Sequence, residues 1–123
     1  MAETAVLHRV ETKDFQAPDE TRTFPHGKLE LVNVGGGTVG RFTLEPDWKW
    51  SQHVKPIAKT DLCQVAHFQY IISGTLHVVM ADGKAFDVRG GQVITLPSGH
   101  DAWVVRTEPV VAIDWYSATQ YAK

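Results

Sequence analysis

Six histidines and a single cysteine carry most of the chemistry available to this 123-residue chain. Neutral imidazole ligates zinc, nickel, copper or ferrous iron. Three imidazoles around one ion leave a coordination position open, which is the pattern of a catalytic rather than a structural site. Cys63 stands alone, which excludes an internal disulfide and any four-cysteine zinc site. If residues 63–67 form one regular strand, Cys63 and His67 lie roughly 13 Å apart and cannot share an ion. A ligand role for Cys63 therefore needs a bulge, or a connection over 56–62 that folds across the site. Its other reading is a small buried apolar residue. Gly35, Gly36 and Gly37 fall between strand patterns rather than ahead of a helix, so they make no phosphate cradle, and no serine sits in a nucleophile elbow.

The elements that must position these residues read as strands. Short runs rich in Val, Ile, Thr and aromatics cover 29–34, 39–44, 48–54, 65–72, 75–80, 84–88, 92–96, 102–105 and 110–116, with almost nothing at helical spacing. Turn residues separate them: Glu45-Pro46-Asp47, Ser73-Gly74, Arg89-Gly90-Gly91, Pro97-Ser98-Gly99 and, most specifically, the hairpin pair Asp82-Gly83. About nine strands in about 90 residues indicate a sandwich or barrel. Residues 1–28 read as an N-terminal arm, polar and irregular from 11 to 27 with Pro18 and Pro25, and residues 29–123 as the β domain. Alternation puts Trp48, Trp50, Gln52 and Val54 on one face of their run. It puts Cys63, Val65, His67, Gln69 and Ile71 opposite Phe68, Tyr70 and Ile72.

Composition bounds the function. Apolar residues make up 43% and charged residues 21%, so the chain can build a core. Twelve Lys and Arg against fourteen Asp and Glu give −2 with no block of like charge, which lends no support to nucleic-acid or anionic-membrane binding. No apolar run approaches the roughly 20 residues of a membrane helix. The opening MAETAVLHRVETKDF lacks the basic start and apolar stretch of a secretory signal. The expectation is a cytoplasmic single-domain protein.

Two segments carry a family resemblance. Gly91 to Gly99 fits glycine, five residues, proline, one residue, glycine, and His67 precedes Gly74 by seven positions, with Pro46 ahead of His53. On these spacings the chain resembles a small single-domain cupin, a jelly-roll β-barrel or double-stranded β-helix, from about residue 29 to 116. The wording at 50–56 (WSQHVKP) and 97–103 (PSGHDAW) is similar to one cupin subgroup. The resemblance implies one divalent metal held by a His-x-His pair, a glutamate and a final histidine. Here His53 matches the first histidine, Lys55 stands at the second, His67 takes the glutamate position, and the final histidine falls at Ala102, two residues after His100.

The expected site is therefore a zinc, nickel, iron or copper ion on His53, His67 and His100, with Cys63 a further candidate. Lys55 and Gln69 would orient a small organic substrate, Lys55 through a carboxylate or enolate oxygen or as a base of lowered pKa. Lys55 also reads as a solvated loop lysine. Trp50, Tyr70 and Trp103 are candidate pocket walls, with packing or a subunit interface as the other reading. Asp101 is placed to orient an imidazole if the turn bends toward His100. His77 reads as exposed, and His8 and His26 lie in the arm. A homodimer is implied by the resemblance. The competing function is a barrel that binds or senses a small ligand without metal or turnover; a purely structural dimer is the third.

Overall fold

The computed structural model describes residues 9–116 and 118–123; His8 lies outside them. Among the described residues the chain forms β1 (Glu20–Phe24), β2 (Gly27–Val34), β3 (Gly37–Leu44), α1 (Trp50–His53), α2 (Lys55–Ala58), β4 (His67–Ser73), β5 (Thr75–Met80), β6 (Ala85–Arg89), β7 (Val93–Leu96), β8 (His100–Val105) and β9 (Val110–Asp114). A 3-10 turn, Ala118–Gln120, follows. The larger sheet has the order β1-β2-β3-β9-β4-β7 and the smaller β6-β5-β8. Every pairing between strands is antiparallel. Leu29, Leu31, Phe42, Leu44, Ile71, Val110 and Ala112 of the larger sheet form one core with Leu76, Val78, Val88, Ala102 and Val104 of the smaller. This is an all-β jelly-roll barrel.

The chain passes from one sheet to the other at Gly74, between β4 and β5. Its φ is +84°, and a β-carbon there would lie 2.3 Å from the Pro109 carbonyl oxygen. Only glycine fits such a left-handed, crowded position.

Two local expectations are corrected. The polar arm contains β1, which pairs with β2 from Glu20↔Leu31 to Phe24↔Gly27. The strand expected over 48–54 is instead a turn followed by α1, with α2 close behind. Burial of Trp48, Trp50 and Val54 suits a strand's alternation, but Gln52, on the same strand face, is exposed, and 50 and 54 are one helical turn apart. Side chains decide between the two. The Asp101 carboxylate accepts the Ser51 N–H at 3.1 Å. His53 Nδ1 reaches back to accept the Lys49 N–H at 3.0 Å. Pro56 stands in the first turn of α2, where a missing N–H costs nothing. Two amides at the start of α1 are thus satisfied by side chains, while Trp48 and Lys49 still bridge to β8.

In β4, His67, Gln69 and Ile71 point into the barrel while Phe68, Tyr70 and Ile72 face out. These outer residues are exposed by 44%, 38% and 47%.

Candidate metal centre

The barrel interior gathers His67, His100 and Cys63, all buried, with one potential ligand atom of each within 4.8 Å of the others. Each arrives on a different piece of chain. His67 opens β4 and His100 opens β8. Cys63 belongs to the stretch between α2 and β4, which crosses the barrel end instead of extending β4. Its N–H donates to the His100 carbonyl at 2.8 Å, and its own carbonyl accepts the Gly99 N–H at 2.7 Å. The distance that a regular strand would impose on Cys63 and His67 is thereby avoided.

Hydrogen bonds set the direction of both imidazoles. His67 Nδ1 lies 2.5 Å from Asp114 Oδ2. His100 Nδ1 lies 2.9 Å from the Pro97 carbonyl oxygen. Each acceptor requires the proton on Nδ1, so the neutral ring carries its lone pair on Nε2. Fixing the tautomer from behind in this way is how ligating histidines are held in metal sites. The two ring centroids are 5.4 Å apart.

Asp114 is fully buried. Besides His67 it accepts the Gln69 amide at 3.0 Å and the Tyr116 N–H at 2.8 Å. The sequence reading missed it, although alternation from Val110 through Ala112 puts this lone carboxylate on the core face of β9. Burial also shapes the ionisation of the group. It lowers His100 to about 4, helped by the neighbouring His67, so this ring is neutral near pH 7. It raises the Cys63 thiol to about 11.

The remaining expected site residues separate. His53 is outside the group: it caps α1 through Nδ1 and packs on His26 with ring centroids 4.7 Å apart. Burial and the His26 charge hold its pKa low. Lys55 turns to solvent, its Nζ 3.7 Å from Asp61. Tyr70 faces outward. Trp103 borders a surface groove with Asp47, Gln52 and Arg106, under the Lys49 ammonium at 4.6 Å. Asp101 caps α1 instead of an imidazole. Gln69 and Trp50 do line the interior.

Between these groups lies a cavity of about 30 Å³ bounded by His67, His100, Gln69 and Tyr121 at its polar positions and by residues such as Phe42, Leu76 and Ala102 elsewhere. That is room for one or two water-sized molecules. A shallow outer cleft lined by Ala66, Phe68, Thr95, Pro97 and Tyr116 also reaches His67.

Comparison with solved structures places this architecture. A cupin-superfamily sugar phosphate isomerase from Silicibacter pomeroyi is 18% identical, over 85% of this chain and 73% of that one, with a TM-score of 0.57. A cupin-2 domain from Rhodospirillum rubrum is 19% identical, over 89% and 68%, with a TM-score of 0.55. The chain has a cupin-like fold. Bacillus subtilis oxalate decarboxylase, described with Mn(II) centres, matches 90% of this chain but 31% of its own, at 19% identity and a TM-score of 0.57. No protein-family description and no curated protein matches the sequence.

The donor set fits a metal ion. Ligand bonds of about 2.0–2.3 Å put tetrahedral ligand atoms about 3.5 Å apart, so the present spacing needs to close by about 1 Å. The site is a possible metal centre of a cupin-like barrel.

Proposed function

We propose that this barrel holds one transition-metal ion on Cys63 Sγ, His67 Nε2 and His100 Nε2, and that a small molecule binds at the open fourth position. The pair of Nδ1 hydrogen bonds, to Asp114 and to Pro97, carries the reading, because it leaves both Nε2 lone pairs free on rings that bring a ligand atom within 4.8 Å of each other and of Cys63. A metal there would supply Lewis acidity, polarising an oxygen of its ligand. The chain's own groups do the rest. Asp114 holds His67 in place, Gln69 is locked to Asp114, and the apolar wall keeps bulk water out. The thiolate in the set favours zinc, copper, cobalt or nickel over the manganese described for oxalate decarboxylase, which suits oxygen donors. His53, part of the expected ligand set, gives way to Cys63. A reducing cytoplasm suits this reading, since it keeps Cys63 as a thiol.

The competing view, a barrel filled by an organic ligand without metal, needs an interior pocket of about 300 Å³ or more, ten times the interior cavity; the larger cleft at His67, about 400 Å³, lies on the outer surface. Cobalt substitution tests the proposal. One equivalent of Co(II) should produce a thiolate-to-cobalt charge-transfer band that Cys63→Ser abolishes. Absence of that band in protein shown to be folded sinks it.

For assembly, we propose a homodimer through the outer face of the larger sheet. Val93, Trp115 and Tyr116, exposed by 60%, 48% and 57%, extend the outward stripe of β4, and contiguous apolar surface of this kind marks interaction sites. Light scattering on the purified chain checks it, with a monomer at all concentrations as the contrary result.

A further inference from the structure

The C-terminal turn brings a side chain into the barrel that neither the motifs nor the ligand set uses. Arg22 secures the turn: one Nη1 donates to the carbonyls of Thr119 at 2.6 Å and Tyr121 at 2.8 Å. Glu20 holds the rest of the guanidinium, at 2.7 and 3.2 Å. Beneath the turn, β3 carries Gly40, where a β-carbon would come within 2.9 Å of the Ala118 β-carbon, so only the bare backbone admits so close a seat.

This anchoring delivers Tyr121. Its ring is 3% exposed, stands edge-on to Phe42 at 4.7 Å and lies 5.7 Å from the His67 ring, centroid to centroid. It borders the same cavity as His67 and His100. Among the described residues its hydroxyl has no hydrogen-bond partner. It is not a sealed orphan, since the fully enclosed side-chain polar atom without a partner is the Trp48 indole N–H; a hydroxyl with no protein partner beside a cavity is available to whatever occupies it. Other donors nearby are engaged: Gln69 Nε2 by Asp114, and both imidazole Nδ1 atoms by their acceptors. The Trp48 indole N–H lacks a partner but is enclosed by the packing, whereas Tyr121 lines the cavity and packs on His67.

We propose that Tyr121 donates a hydrogen bond to the molecule occupying the open position of the Cys63–His67–His100 centre, and that this molecule is a small anion or other ligand of a few atoms with a free lone pair. The proposal rests on the metal reading above. A phenol in an apolar cavity rewards an acceptor and offers nothing to a ligand such as ammonia, whose remaining atoms only donate. Tyr121 would thus set ligand class while the three ligands set the metal.

Azide is the probe, bound to the full-length, cobalt-loaded protein and followed by the cobalt spectrum. Tyr121→Phe keeps every ring contact and removes only the hydroxyl. It should weaken azide by about tenfold, the worth of one hydrogen bond, while cobalt affinity stays within about twofold of wild type. Arg22→Gln retains the phenol but frees its turn and should weaken azide by a smaller factor. Unchanged azide affinity in Tyr121→Phe overturns the proposal. So does a parallel loss of cobalt affinity, which would make the hydroxyl a metal ligand or a packing element. A folded wild-type chain that takes up no cobalt overturns the metal reading itself, and is recognised before azide is added.

Discussion

Metal uptake should release one proton, and that proton should come from Cys63. Burial raises the thiol to about 11 and lowers His100 to about 4. At pH 7 the free protein therefore presents a protonated sulfur and an unprotonated His100. Ligation requires the thiolate. Four units separate pH 7 from the thiol value, and at 1.36 kcal/mol per unit removal of the proton absorbs about 5 kcal/mol of the metal's intrinsic affinity. Every unit of rising pH returns a tenfold gain, so apparent affinity should climb steadily between about pH 6 and about pH 9. Ordinary imidazoles would give a different curve, levelling above ~6.5. The assay is competition for cobalt against a chelator of known pH dependence, with an indicator dye counting protons in lightly buffered solution. Cys63→Ser should flatten the slope and remove the proton. Level wild-type affinity across that range, or no proton released, refutes the thiolate as ligand.

Asp114→Asn should leave the ligands in place but weaken cobalt binding by about 10–100-fold, the usual effect of removing the acceptor behind a ligating histidine, read by the same competition. In the metal-free protein, unfolded His100 takes its proton near ~6.5 and folded His100 only at about 4, so the unfolded state binds more protons in that window. Stability should be full above it and fall by up to about 3 kcal/mol as the pH drops through it, a loss that His100→Gln removes in urea titrations. Gly74→Ala forces a β-carbon against the Pro109 carbonyl at positive φ. It should cost at least about 3 kcal/mol or abolish folding, measured by the urea midpoint and soluble yield.

Much of the architecture is legible because strand alternation and turn residues act locally. His67, Gln69 and Ile71 share a face in the sequence and share the barrel interior in the structure. The run from Trp48 to Val54 misleads because apolar residues at 48, 50 and 54 satisfy two periods at once. The deciding partner, Asp101, lies about 50 residues away. The same limit hid part of the site. Cys63 reaches His67 only because backbone hydrogen bonds to Gly99 and His100 fold its segment across the barrel end, and no local pattern encodes that. Tyr121 follows no motif; its placement depends on Arg22, roughly 100 positions earlier. Asp114 was visible in principle, as the one carboxylate on an otherwise apolar strand face.

Cavity size and ligand chemistry now constrain each other. With Tyr121 seated, the interior holds about 30 Å³, enough for a water or a small anion and far below the several hundred cubic ångströms of an organic-substrate pocket. The seat is not incidental: Gly40 gives Ala118 its close approach and Arg22 binds two carbonyls of the turn. A larger molecule inside the barrel, as opposed to one in the outer cleft at His67, would have to displace the turn, exposing Phe24 and Phe42, which pack on the Tyr121 ring. It would also have to replace those contacts with its own. If a ligand binds in this cavity, volume limits it before chemistry does. Under the proposed reading, a small ligand there would meet the metal held by Cys63, His67 and His100 and the phenol donor of Tyr121, which together favour an electron-rich molecule over a neutral hydrocarbon.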